Sequence, residues 1–93
     1  MIPFERIRTM KDIVIYTTPT CGYCHAAKRL LTTKGASFRE ISVAGDPTLR
    51  QEMMTRSGRY TVPQIFIGSE HVGGCDDLFA LERAGKLDPM LAA

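Results

Sequence analysis

Cys21 and Cys24, separated by Gly22 and Tyr23, are the residues of this chain best equipped for chemistry. They follow an apolar run, Ile13 to Tyr16, and open a stretch with helical spacing, so both sulfurs fall where a strand meets a helix N-terminus. Unpaired backbone N–H groups and the helix macrodipole favour an anion there, and a thiolate is the anion Cys21 can become. Cys24, one turn further on, lies on the same side and can close a small ring with Cys21. Gly22 has no side chain to crowd Cys21, whereas Cys24 sits inside the first turn and is the more buried thiol. The division suits thiol–disulfide exchange, with Cys21 attacking and Cys24 resolving.

The elements that must position this pair can be read from periodicity and punctuation. Ile13 to Tyr16 is a continuous β-branched and apolar run, as expected of a central strand covered on both faces. Tyr23, Ala27, Leu30 and Leu31 follow helical spacing up to Lys34, and Gly35 is a stop. Phe38 to Val43 reads as a second strand, parallel to the first, which completes a βαβ unit. Asp46 and Pro47 supply a cap and a first helical residue for a second helix, which Gly58 ends. Ile65 to Ile67 and the run around His71 and Val72 form a hairpin, broken by Gly73 and Gly74. A last helix starts near Cys75, with Asp76 and Asp77 in its first turn, and stops at Gly85. The order is β-α-β-α-β-β-α, an α/β pattern in one domain.

Composition narrows the function classes. A chain of 93 residues has room for one core only, and 44% hydrophobic and 24% charged residues are ordinary for a globular protein. The net charge of +2 is interspersed with acids, which leaves no nucleic-acid footprint, and no apolar run approaches a membrane span. Three cysteines are too few for a secreted disulfide scaffold, and the first residues lack a signal-peptide pattern, so a reducing, cytoplasmic setting is expected. Met10 reads as a second start, which makes Met1 to Thr9 an optional segment expected to be loosely ordered, and residues 1–11 are set off as an N-terminal extension from the domain at residues 12–93. A zinc module built from Cys21, Cys24, Cys75 and His25 or His71 lacks the second compact ligand pair that such sites prefer.

Three segments in this order carry a family resemblance: Thr20 to Cys24, Thr61 to Ile67, and Gly73 to Leu78. Together they resemble the dithiol glutaredoxins, the small bacterial ones above all, over about Asp12 to Leu91. The resemblance implies a thioredoxin fold, a four-stranded mixed sheet flanked by helices. It also implies a glutathione-dependent oxidoreductase that reduces protein–glutathione mixed disulfides and protein disulfides, acting as a monomer with Cys21 and Cys24 as its catalytic thiols. By the same resemblance Pro63 is cis, and the Val62 backbone, between Thr61 and Pro63, pairs with the cysteinyl part of glutathione as a strand would. Gly74, Cys75, Asp76 and Asp77, at a helix N-terminus, hold its glutamyl end, with Cys75 contributing its backbone. Tyr23 packs across the ligand.

The chain departs from the family pattern twice. Thr18 stands where many members have a lysine for the glycyl carboxylate, which leaves Arg50 as the candidate cation. Gly22 stands where the commonest dithiol members have proline, and cluster-binding members of the family often replace that proline with glycine or serine. That motivates an alternative, a homodimer holding a [2Fe–2S] cluster through Cys21 of each chain and two glutathiones, acting as an iron–sulfur carrier or store.

Overall fold

In the computed structural model, which describes residues 10–92, Ile13–Thr17 form β1 at the centre of a four-stranded sheet ordered β2-β1-β3-β4. β2, Arg39–Ser42, runs parallel to β1, with Val14 opposite Arg39 and Thr17 opposite Ser42. β3, Gln64–Ile67, is antiparallel to β1, and β4, Glu70–Gly73, closes the hairpin through a turn in which Gly68 takes a positive φ of 61°. All four residues of β3 are buried. The sheet is therefore mixed, and its two middle strands are the apolar ones, as coverage on both faces requires.

Alternation along β1 sorts the core. Ile13 and Ile15 face the same side as Ile65 and Ile67, and there they meet Ala27 and Leu31 of α1 (Gly22–Thr33) and Leu78 of α3 (Cys75–Arg83). Tyr16 and Phe66 face the other side, against Val43 and Met53 of α2 (Pro47–Ser57). Asp46 begins α2 by accepting the Leu49 N–H at 3.0 Å, and Pro47 takes the first helical position. The buried Tyr16 ring pins α2 to the sheet: its hydroxyl donates to Glu52 Oε2 and accepts from Arg56 Nη1, each at 2.7 Å.

The structure differs from the sequence pattern in three respects. The second strand is Arg39–Ser42, shorter at each end than Phe38 to Val43, and Phe38 instead packs against the core. A short helix, α4 (Leu87–Leu91), follows Gly85 and buries Leu87 and Leu91, so the order ends in two helices. Met10 and Lys11 are anchored: Met10 bridges to Ala92, and the Lys11 N–H donates to the Leu91 carbonyl at 2.8 Å. The looseness expected of Met1 to Thr9 concerns a segment that lies outside the described residues. Among the described residues no helix is long and apolar enough to cross a membrane.

Candidate active site

The loop leaving β1 delivers Cys21 to the N-cap of α1 in an extended conformation, with φ −92° and ψ 113°. Its sulfur does the capping: the Cys24 N–H donates to Cys21 Sγ at 3.1 Å. This satisfies one of the orphan donors of the helix, and the bond strengthens as the sulfur gains negative charge. Cys21 is partly exposed, whereas Cys24 is fully buried. Burial pushes the Cys24 thiol up to about 12, and the adjoining Cys21 sulfur adds to that shift. At neutral pH Cys24 is thus a protonated thiol behind the more accessible Cys21.

On the other side of Cys21, the segment entering β3 arches toward the helix. The Val62–Pro63 peptide is cis, as the resemblance implies, and Cys21 Sγ donates to the Val62 carbonyl oxygen at 3.8 Å. Beside this arch lies a groove of about 250 Å³, walled by Tyr23, by Thr61, Val62 and Pro63, by Gly74 to Asp77 at the start of α3, and by Arg59. Three stretches far apart in sequence therefore meet next to the partly exposed Cys21 sulfur. Tyr23 is 68% exposed on the rim, and Cys75 is buried, with burial and then Asp76 raising its thiol above the ordinary value.

The α3 end of the groove has its own electrostatics. Asp77 Oδ2 accepts the Gly74 N–H at 2.9 Å and an Arg59 Nη1 proton at 3.0 Å. These two donors, the backbone first, hold the Asp77 carboxyl below its ordinary value. Gly73 makes the approach feasible, since it has φ 117° and a Cβ built there would overlap Asp77 Oδ2. The Asp77 side chain is thus committed to the helix start and to Arg59, while Asp76 stays exposed on the groove wall.

Of the residues singled out from sequence, the groove gathers Tyr23, Thr61, Val62, Pro63, Gly74, Cys75, Asp76 and Asp77 beside Cys21 and Cys24. Arg50 is the exception. Its Nη1 donates to the Tyr60 carbonyl at 2.9 Å, and it lines a separate depression with Val43 and Pro47. The cation on the groove wall is Arg59, which sequence reasoning missed because nothing in its neighbourhood marks it except the helix stop at Gly58 just before it. The zinc constellation is not assembled: among the described residues no three His, Cys, Asp or Glu side chains converge on a metal position. His25 Nε2 instead lies 3.1 Å from the Pro19 carbonyl, and His71 Nε2 lies 2.7 Å from Gln64 Oε1.

Comparison with known proteins agrees with this arrangement. The family model described as Glutaredoxin matches residues 13–72. Glutaredoxin 3 of Escherichia coli K12 is 57% identical over 82 residues, covering 88% of this chain and 99% of its own. The solution structure of glutaredoxin from Brucella melitensis matches with a TM-score of 0.79 and 63% identity, covering 89% of this chain and 90% of that one. A crystal structure of the buckwheat glutaredoxin–glutathione complex matches with a TM-score of 0.78 and 35% identity, covering 85% and 74%. With a thioredoxin fold, a partly exposed sulfur capping a helix and a buried one behind it, and relatives of this closeness along nearly the whole chain, the protein belongs to the glutaredoxin family.

Proposed function

We propose that this glutaredoxin is a glutathione-dependent reductase of protein–glutathione mixed disulfides in the cytoplasm, with Cys21 as the only protein nucleophile of the main route. The observation that carries the reading is the groove itself, a strand-like arch and a helix N-terminus on either side of a partly exposed Cys21. An extended tripeptide suits that geometry. Its backbone pairs with Val62, its glutamyl carboxylate takes the N–H groups at the start of α3, and its ammonium meets Asp76. Arg59, paired with Asp77 at the start of α3, adds positive charge beside the glutamyl carboxylate.

The exchange balances without any other oxidant or reductant. Cys21 thiolate attacks the glutathione sulfur of the mixed disulfide, forming a Cys21–glutathione disulfide as the sulfur–sulfur bond to the substrate protein breaks, and the departing protein thiolate takes up a proton. A second glutathione thiolate attacks the glutathione sulfur on Cys21, releasing oxidised glutathione and the Cys21 thiolate. Protein disulfides follow a longer path: Cys21 attacks, Cys24 loses its proton and displaces the product, and two glutathiones reduce the Cys21–Cys24 disulfide. The buried, protonated state of Cys24 favours the shorter path.

The test is a glutathione-coupled mixed-disulfide assay on wild type, Cys21→Ser and Cys24→Ser. Activity should vanish in Cys21→Ser and persist in Cys24→Ser, and turnover surviving Cys21→Ser would overturn the mechanism. A second reading, the cluster-bridged homodimer, draws on the open space above Gly22, where a Cβ would meet nothing within 4 Å. One chain offers a cluster only Cys21, so the ligand set fits if a second copy and two glutathiones complete it. Anaerobic reconstitution with glutathione then gives a brown dimer, and a colourless monomer removes this reading.

A further inference from the structure

Gln64 is out of place in its strand. The other three residues of β3 are Ile65, Phe66 and Ile67, yet this amide, without solvent exposure, shares their burial. An apolar side chain would cost less to bury unless every polar atom of the amide is used. They are used. Gln64 Nε2 donates to the Thr61 carbonyl at 3.0 Å and to Thr61 Oγ1 at 3.2 Å. Gln64 Oε1 accepts from His71 Nε2 at 2.7 Å. Turning the amide over would set its oxygen against the Thr61 carbonyl, so the orientation is dictated, and with it the Nε2–H tautomer of His71.

These bonds bracket Val62 and Pro63. Thr61 and Gln64 are tied together across the two residues that arch toward Cys21, so the arch cannot open without breaking two hydrogen bonds of a buried amide. His71 holds the far end. It stands on β4, its ring 4.9 Å from the Phe66 ring, with Arg56 stacked on Phe66 at 4.2 Å and the charges of Arg59 and Asp77 nearby. Among the described residues no buried side-chain nitrogen or oxygen lacks a partner, so the chain of bonds is complete.

We propose that Gln64 is a positioning residue for glutathione, and that the buried relay His71–Gln64–Thr61 sets the arch on which the cysteinyl backbone of the tripeptide is held. The inference rests on the reading of the groove as a glutathione site. Gln64 does not line the groove; it acts through Thr61 and Val62.

The experiment uses the full chain and measures the KM for the glutathionylated substrate in the mixed-disulfide assay, the rate of Cys21 alkylation by iodoacetamide, and the melting temperature. Gln64→Met keeps the bulk and removes both functions of the amide. Its KM should rise about tenfold, the equivalent of one lost net hydrogen bond, while the alkylation rate stays within about twofold of wild type. His71→Phe keeps the stacking on Phe66 and removes the donor. It should raise KM in the same direction by less, and the double variant should be no worse than Gln64→Met, because the two residues act in series. A merely structural role would lower the melting temperature and the active fraction and leave KM alone. If wild type turns over with glutathione but KM in these variants stays within about twofold, or the effects add, the relay is refuted while the groove reading stands. If wild type shows no glutathione-dependent turnover, the groove reading fails and the relay with it. Should Gln64→Met not fold, His71→Phe, on the more accessible edge strand, decides the matter alone.

Discussion

Cys24 donates its backbone N–H to the sulfur of Cys21 at 3.1 Å while its own thiol is buried directly behind. One residue thus gives its neighbour's sulfur a hydrogen-bond donor while its own thiol stays buried. Brief treatment with iodoacetamide at neutral pH should therefore label Cys21 and leave Cys24 and Cys75 intact until the chain is unfolded. Peptide mass mapping before and after denaturation checks this, and early labelling of Cys24 would contradict the burial.

Gly22 is the first residue of α1, and a side chain added there meets open space. Proline suits a first helical position and narrows the unfolded ensemble, so Gly22→Pro should raise stability by about 0.4–1 kcal/mol. Urea denaturation measures it. The same substitution fills the space above Cys21, so anaerobic reconstitution of wild type and Gly22→Pro side by side should show any cluster formation fall in the variant.

Asp77 joins the start of α3 to Arg59. Asp77→Ala should cost about 1 kcal/mol, the usual scale for losing a helix-capping oxygen, and Asp77→Asn less, because its amide oxygen can still accept from Gly74. Gly73→Ala should be worse than either. It puts a Cβ against the Asp77 carboxylate at a φ of 117° that alanine resists. Urea midpoints for the three variants give the order.

Stability should fall on both sides of neutrality. Burial, and next the charge of Arg59, lower His71; Glu40 is lowered by the Thr17 hydroxyl and by Lys28, and Asp77 by the Gly74 N–H and by Arg59. In each case the unfolded chain takes up the proton first, so the contribution is complete above the unfolded value and lost as pH falls through the folded one. The decline should begin below about 6.5 through His71 and steepen below about 4 through the carboxylates. Cys24 has the opposite sign. Raised by burial to about 12, it contributes stability present below the unfolded thiol value and lost as pH rises from there toward the folded one. Urea midpoints against pH should show a dome, with His71→Phe flattening the upper acid limb and Cys24→Ser the alkaline one.

Much of this molecule could be read from local signals that carry their own mechanism. Asp46 and Pro47 announce α2 because a capping oxygen and a preset φ are properties of single residues, and Gly58 closes it with φ 73°. Cys21 and Cys24 could be assigned from their place between strand and helix. What stayed hidden depends on encounters across the fold. Helix α4 has five residues and contains Pro89, too short and too interrupted for periodicity to show. Arg59 acquires its place only through Asp77, 18 residues away, and Arg50 loses its expected one to the Tyr60 carbonyl. Gln64 looks like an ordinary polar residue at a strand start until Thr61 and His71 close around it.

The strand order leaves β2 and β4 on the outside, each with one side of its backbone unpaired in the sheet. Unguarded edges invite strands from other molecules, and the two are defended differently. β2 presents Arg39 and Glu40, both exposed, so an arriving strand must find matching charges. β4 slips register against β3 between Ile65 and Phe66 and ends at Gly73, which bends the ladder an incoming strand would need to follow. Resistance to sheet-to-sheet aggregation is thereby built into the fold at the far flanks.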